Sequence, residues 1–248
     1  MAQDDPLRLS RIATIWTMVR QANSPGDDAA DEAQRLLMER YCTAVHRYLL
    51  GALRDEEAAD ELFQEFALRF LRGDLKRTDA RKGRFRDYVR TVLINLVNDH
   101  HRSRKKLVTL PENAAALSTD SAELEDDQFI ASWRAELMNH AWAALEKTQP
   151  NFHGVLLFHV QNPWVESQQM AEELSAKLGK TMTATNIRVT LHRARERFAE
   201  LLLGEVIRSL GDATEEELMG ELRALNMHRV CESAVRKRLD RRKAHAQA

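Results

Sequence analysis

The chain has 248 residues, of which 44% are hydrophobic and 30% are charged, and its 37 Lys and Arg nearly balance its 38 Asp and Glu. Five Pro and nine Gly are few for this length, so we predict an almost entirely helical protein with one large or two small cores. The sequence has neither an apolar run long enough to span a membrane nor an apolar signal core, and Cys42 and Cys231 form no CxxC motif. We therefore expect a soluble cytoplasmic protein.

Apolar residues recur at spacings of three and four along the first part of the chain, as they do on one face of a helix. The spacing predicts helices over residues 7–20, 29–53, 56–71 and 84–106. The third of them is predicted to bury Phe63, Phe66 and Phe70 and to turn its acidic side chains, including Asp60, outward.

The fourth predicted helix is strongly basic. Twelve Lys and Arg face four Asp between Arg72 and Lys106, a local charge of +8 in a chain whose total is −1. This imbalance indicates an anionic partner, although a solvated helix with basic ends remains the alternative on charge alone. The predicted apolar stripe is Phe85, Val89, Val92 and Leu96, with Arg84, Arg86 and Arg90 away from it.

The composition changes after Lys106. Six acidic residues and no basic one occur from Pro111 to Asp127. Such a segment buries too little apolar surface to offset its ordering entropy, so we predict a flexible acidic linker between two small helical domains. The predicted divisions are an N-terminal extension (1–28), a first domain (29–108), the linker (109–127), a second domain (128–204) and a helical C-terminal extension (205–248).

The second domain contains a candidate helix-turn-helix. Ser167 is predicted to cap its first helix and Gly179 to end that helix in a left-handed conformation. After the turn, a helix from Thr185 buries Ile187 and Leu191 and presents an Arg-rich outer face that fits the DNA major groove. For the C-terminal extension three interpretations stay open, a cap on the second domain, a partly disordered segment, or a segment folded over a DNA-binding face.

Two parts of the chain, 36–106 and 137–202, resemble regions 2 and 4 of the extracytoplasmic-function sigma factors of bacterial RNA polymerase. The segment AADELFQEF (58–66) is similar to the acidic segment of region 2 in that family. The resemblance implies that this helix docks on the clamp of the largest polymerase subunit. The implied contact residues are Asp60, Glu61, Leu62, Gln64 and Glu65.

The segment FRDYVRTVLINLVNDHHR (85–102) is similar to the region 2 helix that captures the melted non-template strand of the promoter. Tyr88 stands where that family usually has Trp, and the aromatic character is kept. That Phe85 and Tyr88 are plain core residues remains open. The residues implied to bind single-stranded promoter DNA are Arg84, Phe85, Tyr88, Asn95, Asp99 and Arg102.

The segment NIRVTLHRARERF (186–198) resembles the recognition helix of region 4. Val189 and Thr190 stand where Ser and Arg are usual, so the bases that are read stay open. The residues implied to bind duplex promoter DNA are Thr185, Asn186, Arg188, Val189, His192, Arg193 and Arg195.

The sequence therefore predicts an all-α sigma factor that binds core RNA polymerase and promoter DNA. We expect no catalytic residue, cofactor or metal, because Cys42 and His46 have no further ligand at metal-binding spacing. Whether an anti-sigma factor also binds stays open. The alternatives are a freestanding helix-turn-helix regulator whose first domain binds protein and, with less support, a helical scaffold.

Overall fold

The computed structural model describes residues 28–71, 85–108, 119–179, 181–210 and 213–246. Within these ranges the only regular structure is helical, which confirms the all-α prediction. The predicted helix over 7–20 and the loop over 72–83 lie outside the described residues. The helices are α1 (Asp28–Leu53), α2 (Glu56–Leu71), α3 (Phe85–Val108), α4 (Thr119–Thr148), α5 (Pro150–Gln161), α6 (Ser167–Leu178), α7 (Ala184–Leu210), α8 (Glu215–Ala224) and α9 (His228–Ala246).

The contacts divide the chain into two compact units between Glu136 and Leu137. None of the helices in the described part of the chain is long and apolar enough to cross a bilayer.

Helices α1, α2 and α3 pack against one another in the first unit. Arg54, with a φ of 53°, turns the chain between α1 and α2, and the Asp55 carboxylate accepts the Ala58 N–H at 3.2 Å to cap α2. The core is aromatic at its centre. Its fully buried large side chains from α1 and α2 are Tyr41, Tyr48, Phe63, Phe66 and Phe70.

Helix α3 is rotated slightly from its predicted orientation. Leu93 is fully buried, whereas Val92 is only half-buried. Arg86, which was predicted to lie away from the core, is also buried and contacts Asp87 at 3.4 Å. The buried residues Val89, Leu93, Leu96 and Val97 form a stripe at helical spacing that is inclined to the predicted stripe, which places Leu93 inward and Val92 at its edge.

Helix α4 begins inside the segment that was predicted to be a flexible linker. Its first half belongs to the first unit, where Trp133 stacks on Tyr41 with ring centroids 4.3 Å apart and Phe129 meets Tyr48 edge-on at 5.5 Å. The boundary expected at 128 therefore moves to 136. The physical reason is that two aromatic residues four positions apart bury enough surface to order an otherwise polar helix.

The second unit is built around α7. Helices α5 and α6 contact α7, and so do α8 and α9. Trp142 of α4 packs on Phe198 of α7 with ring centroids 4.8 Å apart. Because α7 continues to Leu210, the second domain does not end at 204, and the C-terminal residues form part of the same unit. A capping box at Thr214 and Glu217 begins α8.

We expect Trp133→Ala to lower the free energy of unfolding by about 3–5 kcal/mol, because it removes a fully buried ring and leaves a cavity beside Tyr41. Urea unfolding followed by far-UV circular dichroism measures the effect. The matched control is Trp164→Ala, since Trp164 is 94% exposed and its loss should change the unfolding free energy by less than about 0.5 kcal/mol. Equal losses in the two variants would contradict the assigned packing.

Candidate nucleic-acid and protein interfaces

The outer face of α2 is acidic. Glu57, Glu61, Gln64 and Glu65 are exposed and recur at helical spacing, and Glu65 pairs with Arg69 on the same helix. These side chains are available to a basic partner surface. Of the residues predicted to contact polymerase, Glu61, Gln64 and Glu65 lie on this face.

Two predicted contact residues of α2 point inward instead. Leu62 is 4% exposed, and Asp60, which was predicted to face outward, is only 8% exposed. The Asp60 carboxylate lies 2.8 Å from His46 Nε2 of α1, and since an ionised carboxylate can only accept, the imidazole donates. His46 is itself buried, with its ring edge-on to Phe63. The contact with His46 explains why Asp60 lies inward and not outward, because it satisfies the hydrogen-bonding capacity of the carboxylate at the edge of the apolar stripe.

The His46–Asp60 pair also bears on whether His46 could be a metal ligand. Its ring is held by a carboxylate of α2, and burial raises the pKa of the Cys42 thiol, which disfavours the thiolate that a metal would need. In the part of the chain that the structure describes, no group of three or more His, Cys, Asp or Glu could hold a metal ion. The sequence signal for the pair was a lone histidine among the apolar residues of α1.

Three of the six residues predicted to bind single-stranded DNA share one exposed face of α3. Asn95, Asp99 and Arg102 follow one another at spacings of four and three, and the Asp99 carboxylate lies 3.6 Å from the Arg102 guanidinium. Arg84 and the side chains of Phe85 and Tyr88 lie outside the described residues, so their assignment stays a prediction.

The candidate helix-turn-helix consists of α6 and the first half of α7. Gly179 ends α6 with φ of 63° and ψ of 22°, which confirms its predicted left-handed conformation. Ser167 is the first residue of α6 rather than its cap, because Glu166 precedes the helix without a side-chain cap. Thr183 caps α7 by accepting the Asn186 N–H at 3.2 Å, so this helix begins at Ala184, one residue earlier than predicted.

The outer face of α7 carries every residue predicted to bind duplex DNA. All seven are exposed, while Ile187, Leu191 and Ala194 are buried on the opposite side. Val189 is 45% exposed, an apolar side chain within a polar face. Among the described residues, neither Arg188 nor Arg193 makes an ion pair, so both guanidinium groups are available to an anionic ligand.

The sequence missed several neighbours of this face. Asn151 and Phe152, from the first turn of α5, line a groove together with Asn186, Val189 and Arg193. No local pattern marked these two residues, because only the packing of α5 on α7 brings them there.

Arg195 is held by a residue of α5. Its Nη2 lies 2.6 Å from His159 Nε2, an arrangement in which the neutral imidazole accepts from the guanidinium. Partial burial and the Arg195 charge lower the pKa of His159. Protonation would remove the acceptor and set two positive charges against each other.

Replacement of Asp60 and of Glu61 should have very different effects on folding. We expect Asp60→Ala to cost about 1–3 kcal/mol of unfolding free energy, because it leaves the buried His46 donor without this acceptor. Glu61→Ala, at an exposed neighbouring position, should change it by less than about 0.5 kcal/mol. Chemical denaturation of both variants checks this, and a loss of stability in Glu61→Ala equal to that in Asp60→Ala would contradict the assigned burial.

The stability of the protein should depend on pH through His159. Since its pKa is lower in the folded protein than the ordinary value of 6.5, the unfolded chain binds the proton more tightly, and this residue destabilises the fold as the pH falls through 6.5 and below. His159→Gln keeps an acceptor for Arg195 without titrating. Between about pH 7.5 and about pH 5.5 we expect the melting temperature of the variant to fall slightly less than that of the parent. An equal fall in melting temperature in the parent and the variant over this pH range would contradict the prediction.

Comparison with known proteins bears on the first unit. A family model of sigma-70 region 2 matches residues 37–107, less than a third of the chain. This range confirms the resemblance of 36–106 to sigma region 2 at the level of the sigma-70 family, and it contains both the acidic face of α2 and the exposed face of α3. No curated protein and no solved structure matches the chain. Residues 37–107 are therefore similar to region 2 of the sigma-70 family.

Proposed function

We propose that the chain is an extracytoplasmic-function sigma factor, a non-enzymatic cytoplasmic subunit that binds bacterial core RNA polymerase and directs promoter recognition, melting and initiation. The observation that carries the proposal is the coincidence of the region 2 match with a unit that has an outward acidic face on one helix and an exposed polar face on another. The second unit adds a helix-turn-helix with an Arg-rich face, which supports the reading of duplex DNA.

The proposed polymerase contact is the exposed face of α2. Glu61, Gln64 and Glu65 are its outward members, and they offer carboxylate and amide oxygens to Lys and Arg of a basic partner. Asp60 and Leu62 support this face from beneath, because the first holds His46 and the second is buried in the core. Complementary charge of this kind favours encounter with the correct partner and fixes orientation.

The proposed contact for the melted strand is the exposed face of α3. An amide, a carboxylate and a guanidinium at Asn95, Asp99 and Arg102 suit hydrogen bonding to the edges of unstacked bases and to a phosphate. The Asp99–Arg102 pair at 3.6 Å restrains the guanidinium in the absence of DNA. Phe85 and Tyr88, in the first turn of the same helix, are proposed as stacking residues.

The proposed reader of the duplex is the first half of α7. Arg188 and Arg193 are exposed on a helix whose opposite side is fixed in the core, an arrangement that suits insertion into the major groove. Val189 offers an apolar surface of the kind that contacts a thymine methyl group. A single recognition helix reads little sequence alone, so specificity is expected in the complex with polymerase.

The charge on α2 should be required for polymerase binding. We expect Glu61→Lys plus Glu65→Lys to weaken binding to sigma-free core polymerase on the order of 100-fold or more, because like charges meet across the interface at a cost of several kcal/mol. A labelled chain titrated with core polymerase measures the affinity. Asp127→Lys plus Glu146→Lys, both exposed on α4, change the net charge equally and should bind like the parent.

This titration also separates the proposal from a freestanding regulator. A freestanding helix-turn-helix protein would bind duplex fragments without polymerase and would not bind core polymerase. No measurable affinity of the parent chain for core polymerase would therefore contradict the proposed function.

The recognition helix should set promoter affinity. We expect Arg188→Ala or Arg193→Ala to weaken binding of the polymerase complex to fragments selected from pooled genomic DNA, each by about 1–3 kcal/mol if the guanidinium contacts a base. Arg223→Ala, at an exposed position of α8, is the control and should leave the affinity unchanged. Full promoter affinity in both recognition-helix variants would contradict the assignment of α7.

A further inference from the structure

The C-terminal helix α9 lies against the second half of α7. Its inward residues Cys231, Ala234 and Val235 are buried, and Lys237 contacts α7 at Glu196 and Glu200. The exposed residues of the recognition helix stay uncovered by this packing. Of the three interpretations that the sequence left open, the structure supports a cap on the second unit and not a segment folded over the DNA-binding face.

A groove runs between α7 and α9. Its apolar lining comes from Leu203, Gly204, Ile207 and Ala234. A Cβ at Gly204 would meet only the guanidinium group of Arg208, at 3.8 Å, so there is open space beside this residue. The charged residues that line it are Arg197, Glu200, Lys237, Arg238, Arg241 and Arg242.

Positive charge is in excess along this groove. Five cationic side chains line it, whereas three carboxylates pair with them, those of Glu196, Glu200 and Glu215. Within the described residues the exposed Arg241 makes no ion pair. The internal pairs therefore leave cationic groups that only an external anion can neutralise.

The groove is continuous with the recognition face. The two carboxylate oxygens of Glu196 bridge them, since Oε2 lies 3.7 Å from His192 Nδ1 and Oε1 lies 3.2 Å from Lys237 Nζ. The hydrogen bonds that Lys237 donates to the carboxylates of Glu196 and Glu200 raise the pKa of Lys237, which keeps its amine charged. The cationic surface thus begins where the predicted duplex contacts of α7 end.

We propose that the groove between α7 and α9, with Arg241 as its principal ligand, binds the phosphate backbone of the duplex beside the segment that the recognition helix reads. The inference rests on the proposed function, because it takes α7 as the reader of that duplex. Continuity with the recognition face through Glu196, which contacts both His192 and Lys237, favours DNA over an acidic protein, and Lys and Arg side chains beside a reading helix commonly position it through phosphate contacts.

The test is the salt dependence of DNA binding by the full chain. A labelled random-sequence duplex of about 30 base pairs is titrated at about 20–150 mM salt with the parent and with Arg241→Gln. A lost phosphate contact should reduce the slope of log affinity against log salt by about 0.9, so this variant should lose about 1 unit of slope. Its affinity at about 100 mM salt should fall on the order of 10-fold.

A matched control separates a local contact from net charge. Arg223→Gln removes the same charge at an exposed position of the second unit that does not line the groove, and its slope should stay near that of the parent. Arg241→Lys should keep the parent slope, because a phosphate contact needs the charge and not the guanidinium. Thermal melting establishes that all variants fold alike.

The outcomes are distinct. An equal fall in the groove variant and the control would overturn the inference, since only net charge would then matter. An unchanged groove variant beside a weakened Arg188→Ala would also overturn it and leave the proposed function standing. A weakened groove variant beside an unchanged Arg188→Ala would support the groove, because a base contact of Arg188 contributes little on a random-sequence duplex and α7 as the reader is tested by promoter affinity. Loss of core polymerase binding with an unchanged salt slope would assign the groove to a protein and overturn the inference.

Discussion

The burial of one apolar stripe along α7 is the constraint on which the second unit depends. The stripe runs from Ile187 to Val206, and α5, α6, α8 and α9 all contact the helix. A helix held on one side over this length has its other side fixed in space, so the exposed arginines need no further support to share a face. Packing and proposed DNA reading are thus two consequences of the same helical period.

The first unit also has a helix with one buried and one exposed face, but one of its buried residues is polar. The apolar side of α2 is buried against α1 and α3, and its acidic side is exposed. At the boundary between the two sides, Asp60 is buried and held by His46. A buried carboxylate is tolerated because it is hydrogen-bonded, and the consequence is that the acidic segment contributes both a structural residue and outward-facing ones.

Most helices and the exposed face of α7 could be predicted from the sequence because they follow from local periodicity and cap chemistry, as at Gly179. The burial of Asp60 could not, since it depends on His46 of another helix. That of Arg86 could not either, since a charged side chain away from the predicted apolar stripe is expected to be exposed. The start of α4 was missed because the acidic composition of the segment outweighed the pair Phe129 and Trp133, whose partners Tyr41 and Tyr48 lie on α1. The groove beside α9 has no signal within any single segment, because it exists only where two helices pack.

The most direct test of the account is run-off transcription from pooled genomic fragments by sigma-free core polymerase, with and without the chain, followed by mapping of the transcript starts. The account predicts discrete new start sites that depend on the chain. The DNA upstream of these start sites should share sequence at two places, one where the strands first separate and one about two or more helical turns further upstream. Transcripts whose start sites are the same without the chain, while the chain alone protects duplex fragments, would contradict it and identify a freestanding regulator.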